Sequence, residues 1–197
     1  MALEKKLHPS YQHNYYLFRR KVLKLFGGAF HVYDENGHLL FYSKQKAFQL
    51  REDFRVYSDE SMRQELLTIK TPQILDIGAT YHVHDSTTGE PIGAIRRKAL
   101  KSILKDEWIF LSNDGREIGI LTEKSFARAI LSRFIKLIPQ YYVITSVGKR
   151  EFAEIKRLFN PFVLKYRMKL LTNEPQIDRR LLISAGILLA GIERRQE

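Results

Sequence analysis

His82 and His84 stand two residues apart in Thr80-Tyr81-His82-Val83-His84-Asp85. That spacing puts both imidazoles on one face of a strand, where they could share a metal ion. No third ligand lies at a recognisable distance, so these residues and His31 are expected to be solvent-facing strand histidines. Catalysis needs more than this. A hydrolase requires a nucleophile with its base, or two carboxylates at a set separation. The chain has Ser and Asp in turn-like positions, but neither a nucleophile elbow nor an HExxH pattern. Gly27-Gly28 is too short to cradle phosphate, and no Walker or dinucleotide fingerprint is present. Cysteine is absent, which removes disulfides, zinc–thiolate sites and thiol nucleophiles. The expectation is a protein without catalytic activity, metal or cofactor.

The basic residues make a stronger pattern. The chain of 197 residues carries 33 Lys and Arg against 22 Asp and Glu, a net charge of +11. Such a balance favours polyanionic partners, either membrane head groups or nucleic acid. Arg96, Arg97, Lys98, Lys101 and Lys105 fall within ten residues, and Lys44, Lys46 and Arg51 occupy the matching stretch some fifty residues earlier. Arg19, Arg20, Lys21 and Lys24 form a third group. Lysines also serve strand edges by discouraging edge pairing, so a basic run can be purely structural.

These runs belong to a repeat. Phe30-His31-Val32-Tyr33-Asp34 leads to a turn at Gly37 and then to Lys46-Ala47; Tyr81-His82-Val83-His84-Asp85 leads to Gly89 and Lys98-Ala99. Each copy continues through a charged pair and an aromatic (Phe54, Trp108) to a polar turn. Short alternating runs separated by Asp, Asn and Gly indicate a duplicated β architecture. The expected strands are 30–33, 39–42, 54–57, 66–69, 80–84, 92–95, 108–111 and 117–121, with a weaker third unit from Tyr141 through 152–155 and 162–171. Residues 17–25 interleave apolar and basic side chains. Residues 1–16 show no period and read as an irregular arm, leaving 17–197 as one domain. Phe126 to Ile138 fits an amphipathic helix or two kinked strands, the flanking patterns favouring strand.

Residues 178–195 differ from all of these. Asp178 suits a helix N-cap, and Leu181 to Ile192 is apolar around its whole circumference. Twelve residues of helix span about 18 Å, short of the roughly 20 residues a bilayer crossing needs. A closed antiparallel barrel wrapped around this helix satisfies both patterns, with Arg179, Arg180, Arg194 and Arg195 at its mouths. The charged N-terminus lacks the apolar segment of a secretory signal, which places the expected site of action in the cytoplasm.

The order of these units, the later Leu137-Ile138-Pro139-Gln140-Tyr141-Tyr142-Val143-Ile144 and the closing Asp178-to-Glu193 helix together resemble a LURP-one-related protein. That family lies in the tubby C-terminal-like superfamily with the phospholipid scramblases. The resemblance covers about Tyr16 to Glu193. It implies a barrel of about twelve antiparallel strands threaded by the hydrophobic C-terminal helix. It also implies membrane association, since tubby domains bind phosphoinositide head groups. No residue here matches a tubby phosphoinositide motif, and the proline-rich and cysteine-rich segments of scramblases are missing. The expected function is peripheral binding of an anionic phospholipid surface by Arg96, Arg97, Lys98 and Lys101, assisted by Lys44, Lys46 and Arg51. A protein-interaction scaffold and nucleic-acid binding through the same surface are the alternatives. The sequence does not speak to oligomeric state.

Overall fold

The computed structural model describes residues 7–21, 29–45, 53–72, 78–98, 107–124, 140–148, 150–160, 162–173 and 176–192; for Lys21, Lys44, Gln45 and Ile192 it describes the backbone alone. Twelve antiparallel strands run β1 (Tyr15–Lys21), β2 (Ala29–Tyr33), β3 (Leu39–Gln45), β4 (Asp53–Tyr57), β5 (Glu65–Lys70), β6 (Thr80–Asp85), β7 (Pro91–Arg97), β8 (Glu107–Leu111), β9 (Glu117–Glu123), β10 (Tyr141–Ser146), β11 (Glu151–Leu158) and β12 (Val163–Leu170). Every strand pairs with its neighbours in sequence, and β1 pairs with β12 to close the barrel. Closure leaves no unpaired sheet edge. The period-2 alternation does the sorting. In β2 and β4, Phe30, Val32, Phe54 and Val56 point inward and are fully buried, while their neighbours face outward.

The helix α1 (Arg179–Ile192) fills the lumen, and residues 181–190 are all buried. Asp178 caps it, its Oδ1 accepting the Arg180 backbone N–H at 2.8 Å. Each fully buried Leu or Ile contributes about 1.5–3 kcal/mol, so the helix is a large part of the core. Gly186 has a purpose here: a Cβ at this position would collide with the Phe18 ring, so glycine lets the ring lie against the helix. Among the described residues no helix is long and apolar enough to cross a membrane.

The repeat extends further than two copies. Trp108 pairs with Arg97 and Leu121, Phe54 with Gln45 and Ile69, and Tyr166 with Arg157 and Phe18. These are the same place in three four-stranded units, β2–β5, β6–β9 and β10–β12 plus β1. The register shifts agree, at Val32/Tyr33, Val83/His84 and Ile144/Thr145 in the first hairpin of each unit. The N-terminal segment, expected to be an arm, therefore supplies part of the barrel. Tyr15 and Tyr16 lie within β1, and Tyr11, on a 3₁₀ turn (Pro9–Tyr11), packs 4.9 Å from Phe41 in the core. Its polar neighbours masked this, because only its ring is apolar. The segment 126–138 lies outside the described residues.

Candidate functional site

Odd-numbered strands all run toward the end of the barrel where the C-terminus of α1 lies. There the guanidinium of Arg20 donates to the carbonyls of Ala190 (3.3 Å) and Gly191 (2.9 Å), satisfying acceptors that the helix end leaves over. The predicted basic runs meet at this rim. Lys44 is paired with Ala29 and Arg55, and Arg96 holds the equivalent place between Thr80 and Ile109. Lys46, Arg51 and Lys101 lie outside the described residues. By sequence, the segments joining strands at this rim (22–28, 46–52, 71–79, 98–106, 124–140 and 159–162) hold ten basic residues against three acidic ones.

Within the second run, neighbours in sequence part company. Arg96 faces outward and donates to Glu117 at 2.9 Å; Lys98 donates to Glu107 at 3.0 Å. The Arg96–Glu117 pair is exposed on both sides, hence weak, and a phosphate could take the carboxylate's place; in the other pair Lys98 is exposed and Glu107 is mostly covered. Arg97 points the other way. Strand alternation turns it into the barrel, where it is buried with its guanidinium 5.5 Å from the centroid of the Trp108 ring. Included in the predicted site, it is a core residue and cannot face an outer ligand.

The barrel also carries a basic face that sequence reading missed. Along β12, Lys165, Arg167 and Lys169 alternate with the buried Leu164, Tyr166, Met168 and Leu170 and so share the outer surface. Lys156 of β11 lies opposite Arg167, and Arg19 of β1 opposite Lys165. Among the described residues, no carboxylate makes a salt bridge to any of these five cations. Glu154, opposite Lys169, instead accepts the Tyr141 hydroxyl at 2.5 Å, a bond that, with burial, pushes the phenol up to about 12. Like charges directly opposite on adjacent strands are destabilising, so this row costs the fold stability and presents a positive potential on the outer surface. Arg19 also lies over the Tyr33 ring at 5.5 Å, beside the stacked His31. The alternation in Lys165, Arg167 and Lys169 was a visible signal; the cross-strand partners were not.

The opposite rim is acidic and internally satisfied. Asp85 accepts from Thr87 N (2.8 Å), the Thr87 hydroxyl (2.5 Å) and Arg180 (2.7 Å), and Arg180 also grips Asp178 at 2.7 Å. Burial alone would raise the Asp85 carboxyl, but the bonds from Thr87 and Arg180 outweigh it and hold it below its usual range. Asp34, the equivalent residue of the first unit, accepts from the backbone N–H groups of Asn36 and His38. Arg179 donates to the carbonyls of His13 and Asn173, both at 2.7 Å. These groups lock the helix N-terminus and the turns together. Arg179 and Arg180 sit at this mouth as expected; Arg194 and Arg195 lie outside the described residues.

His82 and His84 face outward and line a shallow cleft with Gly93, Leu111 and Asn113. Among the described residues no three His, Cys, Asp or Glu side chains cluster as a metal site. His31 instead pairs with Glu60 at 2.7 Å. Compared with known proteins, the chain matches the family model described as LURP-one-related over residues 40–190. Comparison with curated proteins gave no match.

Proposed function

The chain belongs to the LURP-one-related family, within the tubby-like C-terminal superfamily, and from that premise we propose a non-catalytic protein that binds anionic phospholipid head groups at a membrane surface. The observation that carries this reading is the row of Arg19, Lys156, Lys165 and Arg167, to which no described carboxylate makes a salt bridge, beside a rim whose connections are strongly basic in sequence. Arg can grip a phosphate through two parallel N–H groups, and Lys acts as a mobile point charge. Each basic residue near an anionic leaflet contributes about 1 kcal/mol, so four or five acting together give reversible adhesion that salt weakens. Arg96 and Lys98, with Lys44, Lys46, Arg51 and Lys101 of the same two sequence runs, would add to it; Arg97 would not. The cytoplasmic leaflet, the anionic one, is the surface proposed.

Co-sedimentation with phosphatidylcholine vesicles, with and without phosphatidylserine, across a salt series tests the proposal, with duplex and single-stranded DNA as competitors. Binding to the anionic vesicles alone that falls with salt and survives the DNA is expected. Reversing Lys156 and Arg167 to Glu should weaken it at least about tenfold. No vesicle binding at low salt would sink the reading: DNA binding would then assign the basic face to nucleic acid, and its absence would leave a protein scaffold.

A further inference from the structure

The connection between β11 and β12 is short and unlike the rest of the barrel surface. Its residues are Phe159, Asn160, Pro161 and Phe162. Asn160 Oδ1 accepts the backbone N–H groups of Phe162 (3.0 Å) and Val163 (2.9 Å), so a polar side chain organises the turn from within. The flanking rings are left outside: Phe159 is 62% exposed and Phe162 is 67% exposed. Every other described phenylalanine, from Phe18 to Phe152, is fully buried. A single exposed apolar side chain means little, but two phenyl rings on one tip form a patch that water disfavours.

The surroundings of the tip say what covers it. It lies at the basic rim, the one reached by the C-terminal ends of the odd strands. Lys156 lies three residues before Phe159, and Lys165 three residues after Phe162. At about 3.3 Å per residue, both cations stand about 10 Å back from the rings, and Arg19 is level with Lys165. An apolar face enters the boundary between head groups and acyl chains by about 5–10 Å, which brings these three cations to phosphate depth when the rings reach that boundary. Their long side chains can make up the remaining distance. Apolar tip and cationic collar thus match the layering of an anionic leaflet, apolar inside and phosphate outside. A protein acidic groove would match the collar but offers no reason for the depth.

We propose that the Phe159–Phe162 tip is the part of the barrel that enters the bilayer, both rings seated among the upper acyl chains while Lys156, Lys165 and Arg19 hold phosphates. This deepens the head-group reading and rests on it. The test uses the full chain, the double variant Phe159→Ser/Phe162→Ser and, separately, Phe162→Trp. Trp108 is buried and supplies a constant fluorescence background. The double variant should keep the wild-type melting curve, because the lost rings are exposed. It should bind phosphatidylcholine–phosphatidylserine vesicles roughly tenfold or more weakly. The Phe162→Trp emission should move to the blue on vesicle addition and be quenched by lipids brominated near the head of the acyl chain. Wild-type binding that the double substitution leaves unchanged, with no quenching of Phe162→Trp, would overturn the tip and leave head-group binding standing. Wild-type protein that does not bind these vesicles would overturn both. Self-association lost on the double substitution would then reassign the tip to a protein contact.

Discussion

The two ends of this barrel use their charges in opposite ways. At the end holding the N-terminus of α1, the polar side chains are spent on the molecule itself: Asp85, Asp178 and Arg180 bind one another, and Asp34 binds its own turn. The other end has basic connections and, beside them, a row of cations on β11, β12 and β1 to which no described carboxylate makes a salt bridge. The first end makes the fold. The second has charge and apolar surface that the fold does not use, and that surplus is where the proposed membrane contact would form.

The contrast can be broken from either side. Deleting Ala185–Glu197 should have the largest effect, since it empties the lumen of Ile187, Leu188 and Leu189 along with the Phe18 contact. The truncated chain should aggregate or lack a cooperative melt; a soluble, cooperatively melting product would refute the role of the helix as core. Asp85→Asn should cost about 3 kcal/mol in chemical denaturation, because Arg180 loses one partner of a nearly buried pair. The pH dependence has a defined sign. Folding lowers the Asp85 carboxyl, so its stabilisation is complete above the ordinary value of 3.8 and is lost as pH falls through the lower folded value. The variant should therefore show a shallower acid limb than the wild type.

Two adjacent arginines sharpen the comparison at the other end. Arg97→Glu buries a carboxylate against Trp108 and should cost about 2–4 kcal/mol, whereas Arg96→Glu, on the surface, should stay within about 0.5 kcal/mol. Paired melts read this directly, and equal losses would contradict the inward turn of Arg97. The smallest change in stability carries the most functional meaning. Lys156→Glu places a carboxylate opposite Arg167 and should raise stability by about 0.2–1 kcal/mol while weakening anionic vesicle binding. A gain in one measurement with a loss in the other marks a residue kept for its partner.

Much of this was legible in the chain. Alternation located the strands because each presents one face to the lumen, and α1 stood out because it is apolar on all sides. The shared rim followed from the repeat. The orientation of Arg97 was missed because a run of cations is contiguous in sequence yet divided between the two faces of a strand. The β11–β12–β1 face was missed for the opposite reason. Arg19 and Lys165 are remote in the chain and meet only through the closing register. Tyr11 and β1 were hidden by weak local pattern, since their place is set by contacts with Phe41 and β12.

That closing register also constrains how the protein is made. The first strand can pair with β2 early but keeps its other edge open until its final partner, β12, has left the ribosome, and the lumen stays unfilled until α1 follows. Contacts this distant in sequence form slowly and leave nascent strands able to pair with the wrong neighbour. Chaperone demand during synthesis, more than the stability of the finished barrel, would then limit its yield in the cell.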